Sequence, residues 1–438
     1  MFRFFRLLLL ILLLAGCTPV ASTPGPGKSG SNDQAAPVRL VQSQKGRSAP
    51  AAPGGEDEKK VVQGQTRFAL DLYRVIRSSP GKENLFASPY SISLALAMTY
   101  AGARGTTAAE MASALHFDLP QEQLHPAYNA LDADIASRGK PQNKDEKGFQ
   151  LSIANSLWGQ DEFPFQQAFL DLLAQNYSAG LRLVDFKKAP EPARQAINQW
   201  VSDETQKRIQ DLIPQGAVDN NTRLVLANAI YFKAAWLSPF RVEDTQNKPF
   251  HLDSSQTVSV PIMQQSSSKY TYASGEGWQA VEIPYEGSKL AMLVLLPDQG
   301  TLPAFEDSLN AEKLDTILSS LHYSTVNLSL PRFKFETSLA LVDAMKNLGM
   351  KAAFDPDQAD FSGMDGARDL FVGNILHKAF VAVDEAGTEA TASTAVIMEL
   401  AAAPAEPVSV MVDHPFLFFI RDRETGSILF IGRVANPQ

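Results

Sequence analysis

Residues 387–404 read Gly387-Thr388-Glu389-Ala390-Thr391-Ala392-Ser393-Thr394-Ala395-Val396-Ile397-Met398-Glu399-Leu400-Ala401-Ala402-Ala403-Pro404. Alternate residues from Thr388 (Ala390, Ala392, Thr394, Val396, Met398, Leu400) grade from small to apolar. The intervening set, Glu389, Thr391, Ser393, Ala395, Ile397 and Glu399, is mostly polar or small. A period of two is the pattern of a strand with one face buried. The Ala, Thr and Ser content suits an exposed loop equally well. A segment written for both states is a candidate switch.

Outward from this stretch, the two halves of the chain differ. Thr66 reads as a helix N-cap, with Phe68, Leu72, Val75 and Ile76 at helical spacing after it. Residues 91–115 read as helix interrupted at Gly102-Ala103-Arg104-Gly105, and 169–177 and 193–213 as further helices. After about residue 220, runs at 224–232, 280–283, 290–296, 325–330, 371–383, 416–421 and 428–434 read as strands, several of them continuously apolar as in sheets covered on both faces. Helices early and strands late predict an α+β fold. No repeat and no proline-rich break divides 61–438, which therefore reads as one domain.

The chain has 438 residues, 45% hydrophobic and 20% charged, with a formal net charge of −9. These are ordinary globular values. Without a long basic block, nucleic acid is not expected as a partner. The six histidines are scattered, none at i,i+4 from another, and no metal or cofactor is expected.

Residues 1–16 read as a leader: Arg3 and Arg6 precede the apolar run 7–14, which is too short to span a bilayer. Leu14-Ala15-Gly16-Cys17 resembles a bacterial lipobox, and Cys17 is the only cysteine. That resemblance implies a lipidated Cys17, a membrane partner through the lipid anchor, and a place in a bacterial cell envelope, at the outer membrane or cell surface. The other reading is a plain secretory signal with a chance cysteine. Residues 17–60, rich in Pro, Gly, Ala and Ser, read as the lipidated Cys and a flexible tether spanning roughly 35–40 Å, with the folded domain at 61–438. Gly25-Pro-Gly27-Lys-Ser-Gly30 matches a phosphate-loop pattern but lacks the strand and helix it requires.

Several separated motifs resemble the serpin family over about 61–438. They are Asn84-Leu-Phe-Ala-Ser-Pro-Tyr-Ser-Ile92, Leu226-Ala-Asn-Ala-Ile-Tyr-Phe-Lys-Ala-Ala-Trp236, His377-Lys-Ala-Phe-Val-Ala-Val-Asp-Glu-Ala-Gly-Thr-Glu-Ala390, Pro415-Phe-Leu-Phe-Phe-Ile-Arg421 and Leu429-Phe-Ile-Gly-Arg-Val-Ala-Asn-Pro437. The resemblance implies helices packed around three β-sheets with an exposed reactive-centre loop. It also implies a suicide-substrate mechanism, in which a serine protease cuts the loop, is held as an acyl-enzyme and is displaced as the loop inserts into the main sheet. The target protease would be the covalent partner, and the inhibitor itself a monomer and not an enzyme. The remaining alternative is a non-inhibitory serpin acting as a binding or substrate protein.

By the same resemblance the hinge comprises Glu385, Gly387, Thr388, Glu389, Ala390, Ala392 and Thr394. Small inward residues enter a packed sheet first, so Thr388, Ala390 and Ala392 suit insertion, Gly387 lets the backbone turn from strand to loop, and Glu389 is expected to face solvent. Ser88, Ser91, Asn228 and His377 match the polar cluster beneath the opening sheet, and Trp236 matches the aromatic where the loop begins. Glu385 in this family has a basic partner on a neighbouring strand; Val281-Glu-Ile-Pro284-Tyr285 offers Pro284 there, so that contact is expected to be absent or replaced. Loop length implies a reactive bond at Ala401–Ala402, with Leu400, Met398 and Glu399 as alternative cleavage residues. A small residue suits elastase-like pockets, and Leu400 or Met398 chymotrypsin-like ones. Ser266-x-x-Lys269 and Ser79-x-x-Lys82 lack the companion elements of penicillin-binding hydrolases.

Overall fold

The computed structural model describes residues 37–78, 83–138, 149–389 and 406–438. Among them, one seven-stranded sheet runs in the order Arg39–Val41, Leu181–Val184, Gln150–Gln160, Leu224–Ala235, Gly387–Thr388, Val372–Val383, Phe333–Ala340. Its two central strands are buried on both faces. Leu224, Leu226, Ile230 and Phe232 join the large core behind the sheet, while Val225, Ala227 and Ala229 pack under helix Pro190–Glu204 in front. This explains why Leu224–Ala235 reads as a near-continuous apolar run.

The central strands pair directly and in parallel from Leu224–Tyr231 against Val372–Phe380. Above Tyr231 they part, and the two residues Gly387–Thr388 lie between them, antiparallel to both. Behind the seam sits helix Pro89–Tyr100. Ser88 caps it by accepting the Ser91 N–H at 3.1 Å, and Pro89 occupies the first turn.

The other strands form a nine-stranded ladder, also among the described residues. The 19-residue strand Thr257–Gly275 serves two halves of it. One half pairs 257–262 with Gln246–His251, and the other pairs 271–275 with Trp278–Pro284. At the junction Ser267 has φ +55°, and the register opposite shifts between Val326 and Leu328. The three expected sheets are therefore the main sheet and the two halves of this bent ladder.

Two boundaries differ from expectation. The first helix is Glu56–Ile76, not one capped at Thr66, whose hydroxyl instead donates to the Val62 carbonyl at 3.0 Å inside the helix. Its first turn carries Glu56, Asp57 and Glu58, suited to the positive helix end but lacking the apolar spacing that marks a start. Residues 39–48, assigned to the tether, are fastened to the body. Arg39–Val41 pairs with Leu181–Leu183, Lys45 meets Asp171 at 2.8 Å, Arg47 meets Asp132 at 2.8 Å, and the Ser48 N–H donates to the Gln175 carbonyl at 2.8 Å. Composition shows only that such a segment cannot build its own core; it does not show that the body offers it an edge. The expected helix 193–213 ends at Glu204 because Gln206 and Lys207 turn left-handed, at φ +52° and +63°.

Candidate functional site

At the fork of the main sheet, the turn Asp384–Gly387 folds the chain back against the strand it has just left. The Asp384 carboxylate accepts the N–H of Ala386 at 2.9 Å and of Gly387 at 3.2 Å, an Asx turn that places Gly387 beside Ala234. Gly387 has φ +152°, and a Cβ there would stand 2.1 Å from the Ala234 carbonyl oxygen, so no other residue fits. Thr388 follows into the core. It is 1% exposed, and its hydroxyl bonds the Tyr285 hydroxyl at 2.8 Å.

Trp236 seals the fork. Its ring stacks on Tyr285 with centroids 4.7 Å apart, and its indole N–H donates to the Asp384 carbonyl at 2.9 Å. The backbone N–H of Trp236 donates to Ala386, and that of Phe240 to Glu385, both at 2.9 Å.

Glu385 has a basic partner after all. Arg332, between strands His322–Pro331 and Phe333–Ala340, ion-pairs with its carboxylate, and the Thr245 hydroxyl donates to it at 2.5 Å. Burial acts to raise the Glu385 pKa, but these donors outweigh it and hold the carboxyl below its ordinary range. The contact is replaced, not lost; the basic group comes from a different chain segment than the one Pro284 occupies.

Glu389 does not face solvent. Its side chain is 11% exposed and pairs with Arg208 at 3.1 Å, and its N–H donates to the Ala382 carbonyl at 2.8 Å. Its backbone is left-handed, at φ +51°. No strand continues through that conformation, so the described hinge turns out of the sheet at Glu389 and not, as expected, at Gly387.

Beneath the seam the structure brings Ser88, Ser91, Asn228 and His377 together, with Asn155 as a fifth member. His377 Nε2 accepts the Ser88 N–H at 3.2 Å, which makes Nδ1 the protonated nitrogen, donating to Asn228 Oδ1. Asn228 Nδ2 donates to Ser91 Oγ at 2.7 Å and to Asn155 Oδ1; Ser91 Oγ donates to Asn155 Oδ1 at 3.1 Å; and Asn155 Nδ2 donates to the Ser91 carbonyl at 3.1 Å. Ser88 Oγ donates to the Leu429 carbonyl at 2.7 Å. Burial pushes the His377 pKa down to about 3, so it is neutral here. Asn155 sits directly opposite Asn228 on strand Gln150–Gln160. Its only sequence signal is an amide between Ile153 and Leu157 on the face of that strand turned to the core.

Cys17 and the loop residues Ala390, Ala392, Thr394, Met398, Glu399, Leu400, Ala401 and Ala402 lie outside the described residues. Among the described residues, no group of three His, Cys, Asp or Glu side chains is placed to hold a metal ion.

A family profile described as "Serpin (serine protease inhibitor)" matches residues 63–437. The human leukocyte elastase inhibitor is 42% identical over 387 residues, covering 86% of this chain and 100% of that protein. The horse leukocyte elastase inhibitor is 43% identical, covering 85% and 98%. The crystal structure of Serpin48 from the insect Tenebrio molitor superposes with a TM-score of 0.76 at 30% identity, covering 89% of this chain and all of that one. These relatives overturn the expected place in a bacterial cell envelope, lipid-anchored at the outer membrane or surface. The first matches are leukocyte elastase inhibitors of animals, and the human one is matched over its whole length by only part of this chain. Among the described residues no helix is long and apolar enough to cross a membrane.

Proposed function

Because this chain belongs to the serpin family of serine protease inhibitors, we propose that it is a suicide-substrate inhibitor of elastase-like or chymotrypsin-like serine proteases, working as a monomer and catalysing no turnover of its own. The protease serine attacks the carbonyl of the loop residue, the peptide bond breaks, and the amine of the next residue leaves as a new N-terminus. The acyl ester stays on the protease, and the freed strand inserts before water can cleave the ester.

One observation carries this reading: the hinge is already seated as the first rungs of a new central strand. Gly387 stands opposite Ala235 and Thr388 opposite Ala234. Continued one for one, that register places Met398 opposite Leu224, the lower end of the strand. The small even-numbered residues would then enter the core side first, following Thr388. A cut at Ala401–Ala402 leaves Glu399, Leu400 and Ala401 beyond the filled slot to carry the attached protease. A cut after Met398 would leave none, so the register favours Ala401 or Leu400. A small Ala401 suits shallow pockets, in keeping with the leukocyte elastase inhibitors among the relatives.

Incubation with neutrophil or pancreatic elastase should give a band at the summed mass that survives boiling under denaturing conditions. Mass spectrometry of the released C-terminal peptide should start it at Ala402. Cleaved chain alone, with the protease still active, would leave the non-inhibitory reading in its place.

For the leader we propose processing only, with no compartment attached: residues 1–16 are removed as a signal peptide and Cys17 becomes the first residue. The intact mass of the purified protein checks this, including any acyl mass on Cys17. A chain still starting at Met1 sinks it.

A further inference from the structure

In the uncleaved chain, loop insertion stops after Thr388, just short of Tyr231 where the central strands close on each other, and the structure shows what stands at that point. Tyr231 is the last residue of strand Leu224–Ala235 paired directly with Val372–Val383, so it marks the fork. Arg208 lies above it, with its guanidinium carbon 5.8 Å from the Tyr231 ring centre and its Nη1 3.1 Å from the Glu389 carboxylate. The Tyr231 hydroxyl, its pKa raised by burial and by the adjacent Glu389 carboxylate, keeps its proton.

Arg208 is held in place. After helix Pro190–Glu204, the Thr205 hydroxyl donates to the Val201 carbonyl at 2.7 Å and accepts the Ile209 N–H at 3.2 Å. The left-handed pair Gln206–Lys207 between them fixes the turn. The segment that follows is tied across the front of the sheet, from Lys378 Nζ to the Gln210 carbonyl at 3.0 Å and from Asn374 Nδ2 to the Ala217 carbonyl at 3.1 Å. Asn198 fastens it to the helix by bonds of 2.8 and 2.9 Å to Ile213.

We propose that Arg208 is a positioning residue that arrests the hinge. By holding the Glu389 carboxylate on the front of the sheet it keeps Glu389 in its left-handed turn, and further insertion requires that geometry to be given up. The physical reason lies in the backbone. To extend the strand, Glu389 must pass from φ +51° to the β region, which swings its side chain off Arg208 toward Lys233, the residue opposite it in the continued register. In its present geometry the pair therefore stabilises the uncleaved form. Arg208 is half exposed, which moderates the effect; Glu389 is nearly buried, which preserves it.

The proposal rests on the inhibitor reading, and its test separates the two. Uncleaved full-length protein and the variants Arg208→Met, Arg208→Lys and Glu389→Gln are warmed mildly. Conversion to an intact form that resists urea and no longer traps protease is then timed. Arg208→Met and Glu389→Gln should convert roughly tenfold faster than wild type, the expected size for one charge-assisted hydrogen bond. Arg208→Lys should stay within about twofold of wild type, and the double variant Arg208→Met/Glu389→Gln should be no faster than either single. Wild-type conversion rates in both single variants, additive rates in the double, or no conversion in any protein would overturn the proposal. In parallel, each protein is cut in the loop and its melting temperature measured. A rise on cutting with no change in conversion rate refutes the role of Arg208 alone; no rise on cutting, even in wild type, removes the inhibitor reading as well.

Discussion

On the proposed mechanism, the side chain at Thr388 decides between trap and substrate. The residue is already 1% exposed and hydrogen-bonded to Tyr285 beneath the Trp236 ring. Thr388→Arg would place a guanidinium among Tyr285, Trp236 and Ala234, at a desolvation cost of several kcal/mol. The expected result is a chain still cut at the same loop bond but released as product, seen as cleaved protein in place of complex on denaturing gels. Undiminished complex formation would refute this account of the hinge. The backbone reason for Gly387 is equally local, since Ala234 leaves no space for a Cβ.

Between elements, the five-residue polar cluster couples the two central strands to the helix behind them. Because His377 has a folded pKa of about 3 against an ordinary 6.5, the native state binds fewer protons than the unfolded chain between those values. Stability from this group is therefore complete above about pH 6.5 and falls as the pH drops, by up to about 1.4 kcal/mol per unit. Buried His125, pushed down to about 4, adds a slope of the same sign. The lowered Glu385 carboxyl contributes only nearer pH 4.5 and below. Urea unfolding at pH 6.5 and 5.5 should show the loss, and His377→Gln should retain only the His125 share. An unchanged slope in that variant would remove His377 from the account. Much at this scale was readable beforehand. The strands 224–232 and 371–383 announce themselves because burial on both faces demands unbroken apolar runs. Strand Gln150–Gln160 did not, because Ser152, Asn155, Ser156 and the amides at its ends break the pattern, and Asn155 does so where the cluster needs an amide. Glu385 and Arg332 lie 53 positions apart in sequence, so only the fold could pair them. The direction of Glu389 follows from its left-handed backbone, which alternation cannot foresee.

Over the whole molecule, the uncleaved form holds one seven-stranded sheet with its central seam closed below Tyr231. On the proposed mechanism, cutting the loop would let the following residues join between Leu224–Ala235 and Val372–Val383, hydrogen-bonded on both sides. The melting temperature should accordingly rise by roughly tens of degrees on cleavage, measurable by calorimetry. The N-terminal boundary was the large-scale feature least legible in the sequence. Residues 39–48 owe their order to an edge and to acidic partners supplied by residues more than 80 positions away, and composition carries no trace of that.

The seated pair Gly387–Thr388 also bears on timing. Starting a new strand is the slow part of zipping, because several dihedrals are fixed before any ladder bond forms, whereas each later rung follows rapidly. Here the starting rungs exist before the protease arrives. On the proposed mechanism, once the bond is cut, insertion competes with hydrolysis of the acyl ester without the delay of nucleation, so the partition between trapped and escaped enzyme is weighted toward capture before the encounter begins.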